Sequence, residues 1–254
     1  TLKQLGIDGN LIIIWVAFAG SSWAVMRFAT ENETYIIPLF FSMLGNYFFV
    51  NSLQRDEISS YLYSGFFAAL SCLFHQIMFF WWLSLFIGVV YRRRFKPIVW
   101  FVFPALIVPI AYILVVIFYY NQTFTIDALL HFVFRDYYSG AAGLSTGIGS
   151  LIFTGISTVR TFFQVHGYFT TLPRISPLFI IGGVLSIGLL ITSLFGINRI
   201  RWNLKGLQEL PVWVHLLAIC LQLTFAFLSS GNAEFMVMIP ILIPAVLSQI
   251  VQNE

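Results

Sequence analysis

Charge is what this sequence has least of. Only 9% of its 254 residues are Asp, Glu, Lys or Arg, and 59% are hydrophobic, whereas about 25% charge is usual in a soluble globular domain. An ordinary water-soluble core is thereby excluded. Cysteine is almost absent too, and Cys72 and Cys220 both sit inside apolar runs, so they read as small buried residues rather than a disulfide pair. The glycine-rich stretch 140–149 is followed by no Gly-Lys-Ser/Thr and preceded by no strand; it is a loop, not a phosphate cradle. The formal net charge is only +3, and basic residues flanking apolar runs report topology, so no nucleic-acid partner is expected. No span interior carries the row of charges that an ion or proton pathway requires. The chain opens at Thr1 without an initiator Met or a signal-peptide pattern, and the expectation is a fragment.

What is present are long continuous apolar runs with the charges gathered between them. In hydrocarbon every backbone N–H and C=O must be paired within the protein, which leaves helices and closed barrels. Barrel strands would show alternating segments of about ten residues; the runs here are longer and unbroken. The fold class expected is all-α, a polytopic transmembrane bundle of eight spans over 11–28, 35–52, 58–74, 76–91, 97–120, 176–196, 212–230 and 234–251. This divides the chain into five helices in 1–120, an outer loop at 121–175 with interfacial helices near 126–138 and 148–169, and three helices in 176–254. Arg92, Arg93, Arg94 and Lys96 mark the cytoplasmic side. Alternation then puts Lys3, Arg55, Arg199, Arg201 and Lys205 on the same side. The opposite side collects Arg27, Glu31, Glu33, His75, Asp127, His131, Arg135, Asp136, Arg160, His166, Arg174 and Glu234.

Four places on that outer face carry candidate chemistry. Arg27 precedes Glu31 by four residues, helical spacing for an ion pair, with Trp23, Glu33 and Tyr35 close by in sequence. A cation half-desolvated at the membrane surface suits the phosphate of a lipid-linked substrate; an interfacial salt bridge within an aromatic belt is the plainer alternative. His75 and Gln76 lie where two apolar helices meet, and an ionisable residue in that position is a functional candidate. Asn232 and Glu234 open the last span, where a helix cap with a first-turn acid is the plainer and favoured alternative. In the outer loop Asp127, His131 and Arg135 would share one helical face. One carboxylate and one His without a third ligand make no convincing metal site, and neither a metal nor another cofactor is expected.

The run RFATENETYIIPLFFSMLGNYF from Arg27, the Phe-His-Gln turn ending at Gln76, and the closing GNAEFMVMIPILIP resemble bacterial membrane glycosyltransferases of the GT-C superfamily, in particular the protein O-mannosyltransferase-like group. The resemblance covers most of the chain. It implies transfer of a sugar from a polyprenyl-phosphate donor to a hydroxyl on a protein or glycan acceptor, at the extracytoplasmic face of a bacterial inner membrane. It further implies that the amino-terminal catalytic portion of such enzymes is missing from this chain. Under it, Glu31, Glu33 and His75 are the catalytic candidates, and Arg27, Tyr35, Gln76, Arg135, Asn232 and Glu234 the substrate-binding ones. Two rivals remain: an O-antigen ligase or polymerase-like enzyme, relying on Arg135, Arg160 and His166 of the outer loop, and a lipid or solute transporter.

Overall fold

The computed structural model describes the chain except residues 32–33, 141–142, 164–171, 179, 182–183, 186–187, 189–200, 203 and 253–254. It is an α-helical bundle. Helices α1 (Gly9–Gly20) and α2 (Trp23–Thr30) lead into α3 (Ile36–Arg55) and α4 (Ile58–Phe74). A short 3-10 turn, Gln76–Met78, opens α5 (Phe79–Tyr91). Helix α6 (Phe95–Tyr119) tightens to 3-10 at Phe103–Leu106 and widens to a π turn at Val115–Tyr119. The outer loop contributes α7 (Ile126–Val133), α8 (Arg135–Tyr138) and α9 (Ile148–Phe162). The chain closes with α10 (Leu210–Leu228) and, after the turn Ala233–Met236, α11 (Ile239–Ile250). Two residue pairs, Arg201 with Gln252 and Trp202 with Val251, form a minimal antiparallel ladder.

Among the described residues four helical segments are long and apolar enough to cross a membrane: Ile36–Arg55, Phe95–Tyr119, Leu210–Leu228 and Ala233–Ile250. The expected first span at 11–28 is not one rod, because α1 and α2 meet at 63°. Ser22 is extended and its hydroxyl donates to the Ala19 carbonyl at 2.6 Å, so the helical ladder stops there. Counting that bent pair as a single span gives five. The segments expected at 58–74 and 76–91 are helical but short. At 1.5 Å per residue the 17 residues of α4 reach about 25 Å, less than the roughly 30 Å of hydrocarbon. The expected span 176–196 lies largely outside the described residues.

Small residues let the helices approach. Helices α3 and α4 are the closest pair: Ser64 donates to the Gly45 carbonyl at 3.0 Å, and Asn51 to Ser60 at 2.7 Å. The flank of this pair is a stack of rings, with Phe41 against Phe67 and Phe74, and Phe48 against Phe67 and Tyr63. Gly65 lies directly under the backbone carbonyl of Phe101, and Gly88 faces Val214 and the Phe49 ring. Such small-residue contacts substitute for the hydrophobic drive that lipid does not supply between helices.

Two groups of polar side chains mark the two ends of the bundle. At one end Arg94 pairs with Asp56, and Arg92 donates to the Leu53 carbonyl at 3.2 Å. Gln249 donates to the Leu5 carbonyl at 3.1 Å and Gln54 to that of Gln4, which brings the amino terminus to the same end. At the other end the start of α3, the end of α4 and the start of the last helix meet through Tyr35, His75 and Glu234.

A methyl group at Gly65 would collide with rigid backbone, so Gly65→Ala should destabilise the protein by about 1–3 kcal/mol, the usual cost of overpacking. The expected readout is a lowered unfolding midpoint in detergent, with Gly20→Ala, where a methyl meets nothing within 4 Å, as the near-neutral comparison.

Candidate functional site

The cluster at the Tyr35 end is built from four chain segments. Helix α2 exposes Arg27 on its last turn, and its Nε donates to Glu31 Oε2 at 2.8 Å. The pair is partly open to solvent, with 31% and 45% of the two side chains exposed. An exposed i,i+4 pair contributes little to stability, and the bond fixes the direction of the guanidinium. Only the Nε edge is engaged by that bond, and Arg27 Cζ lies 5.2 Å from the centre of the Phe28 ring.

Behind this pair the aromatic rings form a continuous wall. Phe28 packs on buried Tyr35 with centroids 4.5 Å apart, and Tyr35 stacks on His75 at 4.3 Å. The Tyr35 hydroxyl donates to Glu234 Oε2 at 3.4 Å. His75 is the C-cap of α4 and begins the Gln76–Met78 turn, where its Nδ1 accepts from the Ile77 N–H at 3.3 Å. That bond places the acceptor lone pair on Nδ1, so neutral His75 carries its proton on Nε2. Gln76 is exposed on the turn. Asn232 accepts from the Glu234 N–H at 3.0 Å, the cap read as the plainer alternative in the sequence.

The structure brings Arg27, Glu31, Tyr35, His75 and Glu234 into one neighbourhood, with Gln76 and Asn232 adjoining along the chain. Glu33 and His166 lie outside the described residues. Arg135 is held elsewhere: its Nη1 donates to the Tyr120 hydroxyl at 3.2 Å, at the end of α6. Asp127 and His131 do share a helical face, with Oδ2 and Nε2 3.9 Å apart, and His131 stacks on Tyr138. Among the described residues no three His, Cys, Asp or Glu side chains are grouped as metal ligands.

Arg160 is the addition that spacing could not supply. Trp23, Ala24, Arg27 and Phe28 of α2, Arg160 and Thr161 of α9, and Ala233 line one narrow cleft. Two arginines more than a hundred residues apart in sequence thus border the same surface. A wider depression, about 380 Å³, lies at the opposite end among Asp56, Arg94 and Lys96, where Arg94 is already paired with Asp56.

A second polar feature was not legible as a pair. His215 is fully buried in α10. Its Nδ1 is bonded to the Pro211 carbonyl, an acceptor only, so Nδ1 carries the proton and Nε2 accepts from Asn46 Nδ2 at 2.9 Å. Trp81 packs beside it at 5.6 Å. The signal was a single His inside an apolar run; its partner, 169 positions away, is invisible to local pattern.

No family model matches this chain, and no curated protein or solved structure is similar to it at a significant level.

Asn46→Ala should leave the buried His215 Nε2 unpaired and destabilise the protein by about 1–3 kcal/mol. His215→Leu should cost a similar amount by stranding Asn46. In a thermal unfolding series, the double variant Asn46→Leu with His215→Leu should lose less than the sum of the two.

Proposed function

We propose that the chain is part of a membrane glycosyltransferase that moves a sugar from a polyprenyl-phosphate donor to a hydroxyl of a protein or glycan acceptor. The observation that carries this reading is the pair of arginines, Arg27 and Arg160, bordering one cleft at the polar end of an otherwise apolar bundle. Two guanidiniums half-shielded from water suit a phosphate leaving group, whose charge grows as the glycosidic bond breaks. A donor anchored by its lipid would reach that cleft from within the bilayer. The reaction is a displacement at the anomeric carbon: the acceptor hydroxyl loses its proton, the new C–O bond forms, and the lipid phosphate leaves with the bonding electron pair.

In this reading Arg27 and Arg160 hold the phosphate and Glu31 orients Arg27. His75 donates from Nε2 to phosphate or sugar, while Glu234, aligned by Tyr35, faces the acceptor. The catalytic acid or base is assigned to Glu31, Glu33 or an amino-terminal portion that the resemblance implies. Taking α4, Gln76–Tyr91 and 176–196 as crossings as well gives the eight-span topology, with the Arg27 cluster extracytoplasmic in a bacterial inner membrane.

Arg160 comes from the outer loop, which also suits an O-antigen ligase-like enzyme acting on a lipid-linked glycan. Because both arginines border one cleft, comparing their single variants does not separate the two enzymes; the donor does. A monosaccharide on polyprenyl phosphate serves the first, and a polymer on polyprenyl diphosphate the second.

Membranes expressing the chain, with its upstream coding sequence restored, should transfer radiolabelled sugar from a polyprenyl-phosphate donor. Arg27→Ala and Arg160→Ala should each reduce kcat/KM by about a hundredfold, the scale for one lost transition-state charge contact. Unchanged transfer in both variants would remove the arginines from the mechanism.

A further inference from the structure

Helix α9 (Ile148–Phe162) is amphipathic in the reverse sense from a helix that floats on a membrane surface. Its buried positions are Ser150, Thr154, Ser157 and Thr161, spaced by four, three and four residues along one stripe. Its exposed positions are large and apolar: Ile148 at 78%, Leu151 at 63%, Ile152 at 55%, Phe153 at 58%, Ile156 at 50% and Val159 at 58%. An interfacial helix turns its apolar face toward the acyl chains and its polar face to water. Here the hydroxyl face is used against protein, and the outward face from Ile148 to Val159 has no charged or amide side chain.

Two of the stripe hydroxyls bond along their own helix, Thr154 donating to the Ser150 carbonyl at 2.7 Å and Thr161 to that of Thr158 at 2.5 Å, while the Ser150 hydroxyl pairs with that of Ser145 at 2.8 Å. Hydroxyls bonded in this way leave the stripe to serve as a small-residue packing face. Gly231, at a positive φ of 74°, lies so close to the Phe153 and Thr154 backbone that a methyl there would meet it at 2.5–2.6 Å.

The end of α9 is seated on membrane-crossing segments. Phe162 packs on a cluster of Ala226, Met236 and Ile239 that includes Leu223 and Ile243. It also stacks on Phe18 of α1 at 5.6 Å. Helix α1 has no buried residue and exposes Ile13, Ile14 and Val16, so the helix that Phe162 touches is itself apolar on its exposed side.

We infer that α9 is a lipid-embedded helix of the outer loop, seated in the hydrocarbon layer by its Ser/Thr stripe, with Ile148 to Val159 in contact with bilayer acyl chains. This inference goes beyond the glycosyltransferase reading and does not depend on it. The 15 residues of α9 cover about 22 Å at 1.5 Å per residue, so it enters the hydrocarbon without crossing it. It takes the place of the interfacial helix expected near 148–169.

The test is spin labelling of Ile152→Cys and Ile156→Cys, one at a time, in a Cys72→Ala, Cys220→Ala background reconstituted in phosphatidylcholine vesicles. Asp136→Cys, exposed on α8, is the aqueous reference. Collision with oxygen relative to a water-soluble nickel chelate should be several-fold higher at 152 and 156 than at 136. A ratio equal to the reference would place α9 in water and overturn the inference. Labels screened from both reagents and broadened by dipolar coupling would overturn it in favour of a second copy covering this face.

Discussion

A backbone amide inside hydrocarbon has no water to bond with, and this constraint governs the rest of the molecule. It makes the apolar runs helices and drives their hydroxyl side chains back onto their own carbonyls: Ser71 to Ala68, Ser84 to Phe80, Thr224 to Cys220. Once satisfied in this way, Ser and Thr are as usable in a helix contact as Gly and Ala. Close approach at Gly45, Gly65 and Gly88 follows, and dispersion between well-fitted surfaces holds the bundle. The same constraint penalises each unpaired polar group, which is why Asn46 and His215 meet and why the ionic side chains withdraw to the two ends.

The two ends differ in what they do with charge. Around Arg94 and Asp56 the ionic groups pair across the loop that joins α3 to α4 and the start of α6. Around Arg27 they face a cleft that Arg160 also lines, and the residues behind Arg27 are aromatic. The Phe28 ring, backed by Tyr35 and His75, shields one side of the arginine, which raises the strength of any anion contact made on the other. The proposed use of that contact is a lipid phosphate, delivered laterally by a donor that shares the bilayer.

Much of the fold was legible because the spans announce themselves by length and apolarity. Helices α3, α6 and α10 fall close to the runs 35–52, 97–120 and 212–230. The break at Ser22 was harder to see, since two serines in an apolar run are compatible with a continuous helix until one of them caps. In the candidate site, the Arg27–Glu31 pair followed from i,i+4 spacing, and the meeting of Tyr35, His75 and Glu234 at one end of the bundle followed from the alternation of the apolar runs. The Tyr35 contacts with His75 and Glu234 are tertiary and had no local signal. Arg160 read as a scattered loop residue because no motif spacing ties it to Arg27; the inward Ser/Thr stripe of α9 accompanies its place on the cleft that Arg27 also lines. Arg135 was expected on one helical face with Asp127 and His131, but that helix ends at Val133 and Arg135 bonds to Tyr120 at the end of α6.

The central claim is a membrane helix bundle whose Arg27 cluster and Arg94 cluster face opposite sides of the bilayer. The most direct measurement is labelling of Ala29→Cys and Lys96→Cys, one at a time in a Cys72→Ala, Cys220→Ala background, with a membrane-impermeant maleimide before and after permeabilisation. Labelling of Ala29→Cys in intact cells, with Lys96→Cys reacting only once the membrane is opened, is the predicted result. Equal labelling of both positions from one side would contradict the account.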